Sequence, residues 1–363
     1  MRVSISLRLV NEDWAAATAY VVEAERLGVD CVWSAEAWGH DAVTPLAFMA
    51  ARTSRIRLGT GIMQAGTRTP ALVAMTAMSL AAMSGNRFIL GLGVSGPQVI
   101  EGWHGIRFER PVLRMRETIE IVRRIIRGER LSYRGAVYEL PLPGGEGKAL
   151  RSGAHPQPDI PVYLATLSPK SLEMTGELAD GWLGTSFMPE HASVFLAHIG
   201  RGAARVGRAL ADLDLQAGGV VAFAADVERL VTQRKPGIAF TLGAMGSRQH
   251  NFYSEAYWRA GYADAAVEVQ RLWLEGRRDA AAARVPDEIV LKTNLLGTDE
   301  MVRRRIRAYR DAGITSLRVD PDGATLDARL ATLGRLVDLV KAIDAEGARP
   351  AGKAPRPKAA QPG

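Results

Sequence analysis

Apolar and polar positions along this chain change repeatedly between the period of a strand and that of a helix. A strand-like run over Val3 to Val10 is followed by a helix-like run from Asp13 to Leu27, and Val29 to Ser34 again resembles a strand. The same order returns near the C-terminus, where Thr298 can cap a helix, Gly313 can end it and the strand-like letters ITSLRV follow. Alternation of this kind predicts a parallel sheet with helical crossovers.

The strand-like runs are numerous enough for an eight-stranded barrel. The clearest crossover helix begins at Pro111, and its apolar side chains recur at steps of three and four residues as far as Ile126. We therefore predict an α/β fold, a TIM (β/α)8 barrel. Its strands are expected at Val3 to Val10, Val29 to Ser34, Ile56 to Met63, Arg87 to Val94, Pro161 to Ala165, Gly181 to Thr185, Gln216 to Ala224 and Ile314 to Val319.

Two regions interrupt the alternation. Residues 131–158 are typical of a hairpin followed by a Gly/Pro-rich excursion, and residues 235–285 are typical of a helical insertion. Long insertions after barrel strands usually form lids or oligomer contacts over the active end. A single barrel domain is predicted over residues 1–345, and residues 346–363, rich in Pro, Ala and basic side chains, are predicted to form a disordered tail.

Composition narrows the class of protein. Of the 363 residues 47% are hydrophobic and 23% charged, so the chain has enough apolar surface for a large core. No apolar run reaches the length of about 18 residues that spanning a bilayer requires, and the first residues lack the apolar segment of a secretory signal. Cys31 is the single cysteine and lies in an apolar stretch, which favours a buried thiol. We expect a soluble cytoplasmic protein with no membrane partner.

The formal net charge of +7 favours anionic ligands without selecting among them. A nucleic-acid partner is not expected, because the basic C-terminal residues carry no aromatic side chains among their charges. No metal is expected either, because the six histidines show no ligand spacing.

A glycine-rich run, GLGVSG over residues 91–96, fits the G-x-G-x-x-G pattern of dinucleotide-binding folds. It ends the fourth strand rather than the first, however, and Pro97 and two later glycines oppose an immediate helix. We interpret the run as the open end of a barrel strand, where a flat ring or a phosphate can approach the backbone and Ser95 and Gln98 can hydrogen-bond to it. The alternative is a plain tight turn.

Three longer runs carry a family resemblance. They are VWSAEAWGHDAVTPLAFMAART, RIRLGTGIMQAGTRTPALVAMTAMSLAAMSGNRFILGLGVSGPQVIEGWHG and DIPVYLATLSPKSLEMTGELADGWLGTSF. These runs resemble the luciferase-like monooxygenase superfamily, and more narrowly its branch of oxidoreductases that use the deazaflavin coenzyme F420 and are related to methylenetetrahydromethanopterin reductase. The resemblance covers nearly all of residues 1–345 and weakens in the insertion.

The resemblance implies a ring-binding site in the mouth of the barrel. A cis peptide bond that does not precede proline is implied between Gly61 and Ile62, and the segment ATLSPK is similar to the family's phosphate-binding segment. There Ser168 can cap a helix, Pro169 suits its first position, and the free N–H groups with Lys170 can hold an anion. An ordinary helix start is the alternative. The implied cofactor-binding residues are Gly61, Ile62, Gly93, Ser95, Gly96, Gln98, Ala165, Thr166, Leu167, Ser168 and Lys170.

The catalytic residues implied lie after the second strand. Several relatives have Asp-His there, and the matching residue here is Glu36, a departure. A carboxylic acid shielded by Trp38 could have a raised pKa and exchange a proton during hydride transfer. His40 could do the same near neutral pH. We predict Glu36 or His40 as the catalytic group and a substrate pocket formed by Trp38, Gln64, Glu101, Trp103 and His104.

The function implied is hydride transfer between coenzyme F420 and a small organic substrate. The alternatives are an FMN-dependent monooxygenase that uses reduced flavin and oxygen, and a flavin-binding protein without turnover. Relatives are commonly homodimers, so a homodimer is expected, and the stretch NFYSEAYWRAGY is either an interface or a lid.

Overall fold

The computed structural model of the protein describes residues 1–9, 12–245 and 251–348. Its strands are β1 (Arg2–Ser6), β2 (Cys31–Ser34), β3 (Arg57–Thr60), β4 (Met63–Gln64), β5 (Phe88–Gly93), β6 (Tyr133–Arg134), β7 (Glu139–Leu140), β8 (Val162–Leu164), β9 (Gly181–Leu183), β10 (Asp214–Ala217), β11 (Val220–Phe223), β12 (Leu295–Gly297) and β13 (Ser316–Pro321). Its helices are α1 (Trp14–Leu27), α2 (Thr44–Ala50), α3 (Pro70–Ser84), α4 (Pro97–Ile100), α5 (Pro111–Ile126), α6 (Pro169–Leu178), α7 (Ser193–Arg205), α8 (Val227–Gly243), α9 (Phe252–Arg259), α10 (Ala263–Leu274), α11 (Arg278–Ala283), α12 (Asp287–Thr293), α13 (Asp299–Asp311) and α14 (Leu326–Ala348).

Eight parallel strands close into a barrel in the order β1, β2, β3, β5, β8, β9, β10 and β13, and β13 pairs with β1. Helices connect the strands on the outside, so the predicted TIM barrel is confirmed. The helix predicted from Pro111 to Ile126 is α5 with the same bounds. Thr298 caps α13 as predicted, because its hydroxyl accepts the N–H of Met301.

The seventh predicted strand, Gln216 to Ala224, is wrong as a single element. It is two strands: β10 belongs to the barrel, and β11 leaves it to pair with β12 and with the end of β13. Gly218 and Gly219 separate them, and a Cβ on Gly218 would lie 2.3 Å from the carbonyl oxygen of Arg318. The close passage of β13 therefore bends the chain at these two glycines. Strand β12 was not predicted from the sequence pattern.

The third predicted strand is also divided. The chain breaks between β3 and β4 at the Gly61–Ile62 peptide bond, which is cis, as the resemblance implied. Gly59 on β3 pairs with Ile89 on β5, and Met63 on β4 pairs with Leu92 on β5. Between these two pairs the segment from β3 to β4 advances four residues while β5 advances three. This extra residue is a β-bulge, a feature that redirects side chains at the rims of barrels.

Other boundaries differ at the ends of the chain. The first strand ends at Ser6 rather than at Val10, which lies outside the described residues. Helix α14 continues to Ala348, three residues past the predicted end of the barrel, and residues 349–363 of the predicted tail lie outside the described residues. Pro97 begins a single helical turn, α4, directly after the glycine-rich run, so the expectation that no helix follows at once is wrong. The predicted hairpin at residues 131–158 is confirmed by the antiparallel pair β6 and β7.

The helical insertion has an apolar core of its own. Helices α8 to α12 form this insertion, which extends from Val227 to Thr293 and so passes both ends of the predicted residues 235–285. Side chains from these helices, including Leu230, Leu242 and Val269, form a cluster separate from the main core. Ala222 on β11 and Leu296 on β12 join the same cluster. The two strands outside the barrel thus anchor the insertion beside the barrel mouth.

A polar network fills the barrel near the start of β10. Asp214 accepts hydrogen bonds from Tyr163 at 2.6 Å and from Gln216 at 2.9 Å, and forms an ion pair with Arg2 at 2.7 Å. Burial alone would raise the pKa of Asp214, but hydrogen bonds from Thr315, Tyr163 and Gln216 outweigh burial and lower it. The folded state therefore holds this group ionised more strongly than the unfolded chain does.

Acid should reveal this network. A carboxyl group with a lowered pKa in the folded state stabilises the protein above its unfolded pKa, about 3.9 for aspartate, and the contribution disappears as the pH falls towards the folded pKa. We expect Asp214→Asn to lower the free energy of unfolding at pH 7 and to flatten its decline below about pH 4. Urea titrations of both proteins between pH 3 and pH 7 measure this. Parallel decline of both curves would contradict the assignment to Asp214.

Candidate functional site

A cavity of about 360 Å³ opens where β2, β5 and β8 end. This volume lies in the range of about 300–1,000 Å³ that small-molecule sites occupy. Eleven of the residues predicted as site residues line it: Glu36, Trp38, Ile62, Gly93, Ser95, Gly96, Gln98, Ala165, Thr166, Leu167 and Ser168. The ends of neighbouring parallel strands meet at one end of a barrel, which is why distant segments of the sequence converge here.

The bulge forms the base of this cavity. Trp33 is buried inside the barrel under the bulge, and a Cβ on Gly59 would lie 2.2 Å from its ring. A Cβ on Gly93 would lie 2.9 Å from Cγ1 of Ile62. Gly93 therefore makes room for Ile62, whereas the sequence suggested that this glycine makes room for a ligand. The glycines of β3 and β5 hold the bulge against Trp33 and present Ile62 to the cavity.

Ser95 makes the turn that follows β5. Its φ is +58°, in the left-handed region that residues with a side chain rarely adopt. Gly96 that follows is extended, with a φ of −133°. The turn directs Ser95 and Gln98 to the cavity, consistent with their predicted role as polar contacts.

Glu36 is held by four hydrogen bonds. Arg68 donates two of them, one at 3.0 Å, and the backbone N–H groups of Gln64 and Ala42 donate the others at 2.8 and 3.1 Å. Its side chain is only 8% exposed, whereas Trp38 is 56% exposed and does not shield it as expected. Every partner is a donor, so Glu36 is bound as a carboxylate acceptor. Its geometry fits a positioning role better than that of a proton donor.

Several predicted residues do not reach the cavity. His40 is exposed, packs edge-on against Trp14 and lies 3.9 Å from Glu12, so the expectation that it acts there is not supported. Glu101 accepts the N–H of Phe108 instead. Trp103 is 66% exposed, and His104 is also exposed, so neither forms part of the cavity. The sequence pattern predicted the correct end of the barrel for these residues, but their side chains are exposed to solvent.

Gln64 is buried beneath the cavity rather than lining it. Its Nε2 donates to the carbonyl oxygen of Ala37 at 3.2 Å, and its backbone N–H binds Glu36. Gln64, which was predicted to contact the substrate, therefore connects the bulge to the loop after β2 through hydrogen bonds.

Helix α6 begins at the cavity with free N–H groups. Ser168 occupies the N-cap position, but its side chain does not cap the helix as predicted, and its hydroxyl pairs with that of Ser171 at 2.8 Å. The backbone N–H groups of the first turn have no intrahelical acceptor and suit an anion. Lys170 is exposed and does not line the cavity, so the anion site rests on the backbone rather than on this side chain.

The insertion covers the cavity from the other side. Phe240, Met245, Phe252 and Tyr253 line it, so the stretch NFYSEAYWRAGY contributes to a lid. Arg259 of the same stretch donates to the carbonyl oxygen of Leu167 at 2.7 Å, and its buried Nε has no hydrogen-bond partner within the described residues. Sequence analysis missed Arg259, because the resemblance is weakest here and a lone arginine on a helix carries no pattern.

Known proteins are similar to this chain over most of its length. The family model described as luciferase-like monooxygenase matches residues 1–316. A putative coenzyme F420-dependent oxidoreductase of Mycobacterium tuberculosis is 40% identical over 86% of this chain and 92% of its own length. The chain belongs to the luciferase-like monooxygenase family. The 5,10-methylenetetrahydromethanopterin reductase of Methanolobus tindarius is 28% identical over 82% of this chain and 87% of its own length.

A solved structure supports the fold of this luciferase-like protein. The coenzyme F420-dependent tetrahydromethanopterin reductase of Methanopyrus kandleri superposes with a TM-score of 0.77 over 92% of this chain and 97% of its own, at 23% identity. At that identity the likeness shows the fold alone.

A second cavity of this luciferase-like barrel, about 500 Å³, adjoins the first across the bulge. Gly61 lines the second cavity and Ile62 lines the first. Polar side chains dominate its lining, among them Ser186, Asn294 and Arg318. The bulge therefore separates two neighbouring cavities.

Proposed function

We propose that this protein is a coenzyme F420-dependent oxidoreductase that transfers a hydride between the deazaflavin and a small organic substrate. The observation that carries the proposal is the first cavity, where a bulge backed by Trp33 and the free N–H groups of α6 border one mainly apolar lining. The relative named as coenzyme F420-dependent, at 40% identity, supports the choice of cofactor.

The residues present fit a planar ring that carries an anionic chain. Ile62, Val94 and Met115 give the cavity an apolar lining for a ring, and Ser95 and Gln98 offer polar contacts. Ser168 and Ser171 mark the end at which the N–H groups of α6 are free for a phosphate. When bound, the deazaflavin supplies the hydride chemistry, and the protein binds, orients and shields the reactants.

Tyr253 is the group that we assign to proton transfer. It lines the cavity from the insertion, and burial raises its pKa, against a smaller lowering by the charge of Arg318. A tyrosine with a raised pKa stays protonated at neutral pH and can donate to a substrate carbonyl. Glu36 then acts as a positioning residue, because Arg68 and two backbone N–H groups already bind its oxygens.

Replacing Tyr253 with phenylalanine tests this assignment. We expect kcat to fall by about 10²- to 10⁴-fold, the usual effect of losing a general acid, while the affinity for the coenzyme stays within about twofold. Stopped-flow oxidation of the reduced coenzyme with a turned-over substrate measures the first, and fluorescence titration measures the second. Tyr262→Phe is the matched control, because Tyr262 belongs to the same insertion and lines neither cavity. Unchanged kcat in Tyr253→Phe would exclude the hydroxyl as the donor.

Arg259 should matter only for the anionic part of the cofactor. In Arg259→Met the side chain no longer holds the Leu167 carbonyl beside the start of α6, and a positive charge is lost there. We expect the affinity for coenzyme F420 to fall about tenfold, as for a lost charged hydrogen bond, and the affinity for the deazaflavin without its phosphate to change little. Equal losses for both ligands, measured by fluorescence, would contradict a phosphate at this end.

Titration with coenzyme F420 and with FMN tests the proposed function itself. Fluorescence of each ligand should report tight binding of F420 and weak binding of FMN. Tight binding of FMN alone, with oxygen consumed on addition of reduced FMN, would make the protein a flavin-dependent monooxygenase, which the name of the family keeps as the second candidate. Binding without turnover across a broad panel of carbonyl and unsaturated compounds would instead favour a flavin-binding protein.

A homodimer is part of the proposal. Helix α3 buries many apolar side chains, and Leu72, Met75 and Met83 nevertheless remain exposed along one side of it. Phe48 of the neighbouring α2 extends this apolar surface. Sedimentation velocity should give a dimer for the native chain and a monomer for Met75→Glu. A native monomer at micromolar concentration would refute the dimer and leave the proposed chemistry untouched.

A further inference from the structure

The second cavity holds a positive charge that no acidic side chain of the described residues neutralises. Arg318 on β13 lines the cavity, and its Nη2 donates to the carbonyl oxygen of Gly184 at 2.9 Å. Within the described residues this is the guanidinium's one hydrogen bond, and no carboxylate lies within ion-pair distance of it. The positions outside the described ranges contain no Asp or Glu, so no acidic side chain of this chain is left to pair with it.

The neighbouring charges of the same cavity are paired. Arg234 forms an ion pair with Asp322 at 2.6 Å, and Asp320 forms one with Arg8 at 3.1 Å. Burial lowers the pKa of Arg318, against a smaller raising by Tyr253, which shows that its charge is held at a cost. A guanidinium stays protonated even so, and an unpaired cation that is partly buried costs free energy unless a ligand supplies the counter-charge.

Arg318 lies near the residues that we assign to the reaction. The cavity that it lines adjoins the first cavity at the bulge, and the charge of Arg318 acts on Tyr253, which lines the first cavity. An anionic group bound at Arg318 would therefore hold the rest of its molecule towards the bulge and the tyrosine. Gly218 and Gly219 line the same cavity.

We propose that Arg318 binds an anionic group of the substrate, a carboxylate or a phosphate, and that the enzyme therefore reduces or oxidises small acids or phosphate esters rather than neutral compounds. The planar guanidinium fits both groups through paired hydrogen bonds. This inference rests on the proposed function, because it assigns the second cavity to the substrate of that reaction.

The first test compares matched substrates on the native enzyme with reduced coenzyme F420. Each carbonyl or unsaturated acid is paired with its methyl ester, and each phosphate ester with its free alcohol. We expect kcat/KM to be about 10- to 100-fold higher for the anionic member, the usual effect of a charged hydrogen bond, and the acid and phosphate series show which anion is preferred. Equal kcat/KM for both members of every pair would overturn the inference while leaving the proposed function standing.

The second test uses Arg318→Gln, with Arg55→Gln as a control of equal charge change. Arg55 is exposed and lies just before β3, at the opposite end of the barrel. We expect Arg318→Gln to raise KM for anionic substrates about 10- to 100-fold, with Arg318→Lys in between, and to leave the affinity for coenzyme F420 within about twofold. An equal loss of coenzyme affinity would mean that Arg318 serves the coenzyme, and the inference would fail.

The third test needs neither coenzyme nor turnover. Inorganic phosphate and acetate, added to the native protein at constant ionic strength, should raise its Tm. The rise should be smaller in Arg318→Gln, where only the N–H groups of α6 remain to bind an anion, and unchanged in Arg55→Gln. If coenzyme F420 fails to bind but part of the rise depends on Arg318, the proposed function fails and the anion site stands. If the rise is equal in the native protein and Arg318→Gln and matched substrates react equally, the anion site fails. If Arg318→Gln does not fold, Arg318→Lys and the matched substrates on the native enzyme test whether Arg318 binds the anionic group.

Discussion

Alanine at position 91 is expected to prevent stable folding. A Cβ on Gly91 would lie 1.8 Å from the carbonyl oxygen of Thr60, a backbone atom that cannot turn aside. The Thr60 hydroxyl also donates to the Gly91 carbonyl at 2.8 Å and accepts the Gly91 N–H at 2.9 Å, so both strands would have to separate. Overpacking a core costs about 1–3 kcal/mol, and a backbone clash should exceed the upper value.

Urea unfolding followed by circular dichroism measures the effect of Gly91→Ala. Gly200→Ala is the matched control, because a Cβ there meets no atom within 4 Å and lies in a helix, where alanine is favoured over glycine. We expect the control to be as stable as the native protein or slightly more so. If Gly91→Ala unfolds within about 1 kcal/mol of the native protein, the bulge is not fixed as described.

Gly93→Ala separates the shape of the site from its stability. The new Cβ would press on Ile62 at 2.9 Å, which is a side chain that can shift by a few tenths of an ångström. The protein should therefore fold while the base of the cavity changes shape, with weaker binding of coenzyme F420. Comparison with Gly91→Ala then shows whether stability and binding depend on different glycines of one strand.

The second large effect concerns Glu36 and Arg68. Their side chains are 8% and 20% exposed, and removing one member of a buried ion pair usually costs about 3–5 kcal/mol. We expect Glu36→Gln and Arg68→Met each to lower the free energy of unfolding by an amount near this range, and the double variant to lose less than the two losses added. The physical reason is that either single change leaves a charge without its partner.

A double-mutant cycle measured by urea unfolding gives this coupling. The exposed pair Arg107 and Glu109, whose atoms are 3.5 Å apart, is the control, and Glu109→Gln should change stability little. The cycle also distinguishes two roles for Glu36. If Glu36 donates a proton, Glu36→Gln should lose activity but keep its free energy of unfolding, and Arg68→Met should keep its activity. That outcome would support the catalytic role that the sequence suggested for Glu36.

The barrel itself was accessible from the sequence. Periodicity is a local signal, so α5 and the helix capped by Thr298 appear where the pattern predicts them. The division of Gln216 to Ala224 was not accessible, because it depends on β13 passing close to Gly218, a contact between residues far apart in the chain. Similarly, the short strand β12 has too few residues for a recognisable period.

The sequence predicted where the site lies but not the role of each residue in it. Strand ends identify the cavity, and eleven predicted residues line it. Whether a side chain is free or partnered depends on tertiary contacts, so Glu36 could not be recognised as the partner of Arg68. Arg318 is a single arginine in a strand, and its importance follows from the absence of an acidic partner in the described structure. Exposure of Trp103 and His104 is equally invisible to local pattern.

The separate apolar core of the insertion has a consequence for how such enzymes diversify. Helices α8 to α12 pack on one another and touch the barrel sheet chiefly through β11 and β12. They also supply Phe252 and Tyr253 to the cavity. Residues 220–297 therefore form a unit that can be exchanged between relatives. We expect such a chimaera to keep the barrel and Arg318 of the recipient and to acquire the donor's side chains on one wall of the first cavity.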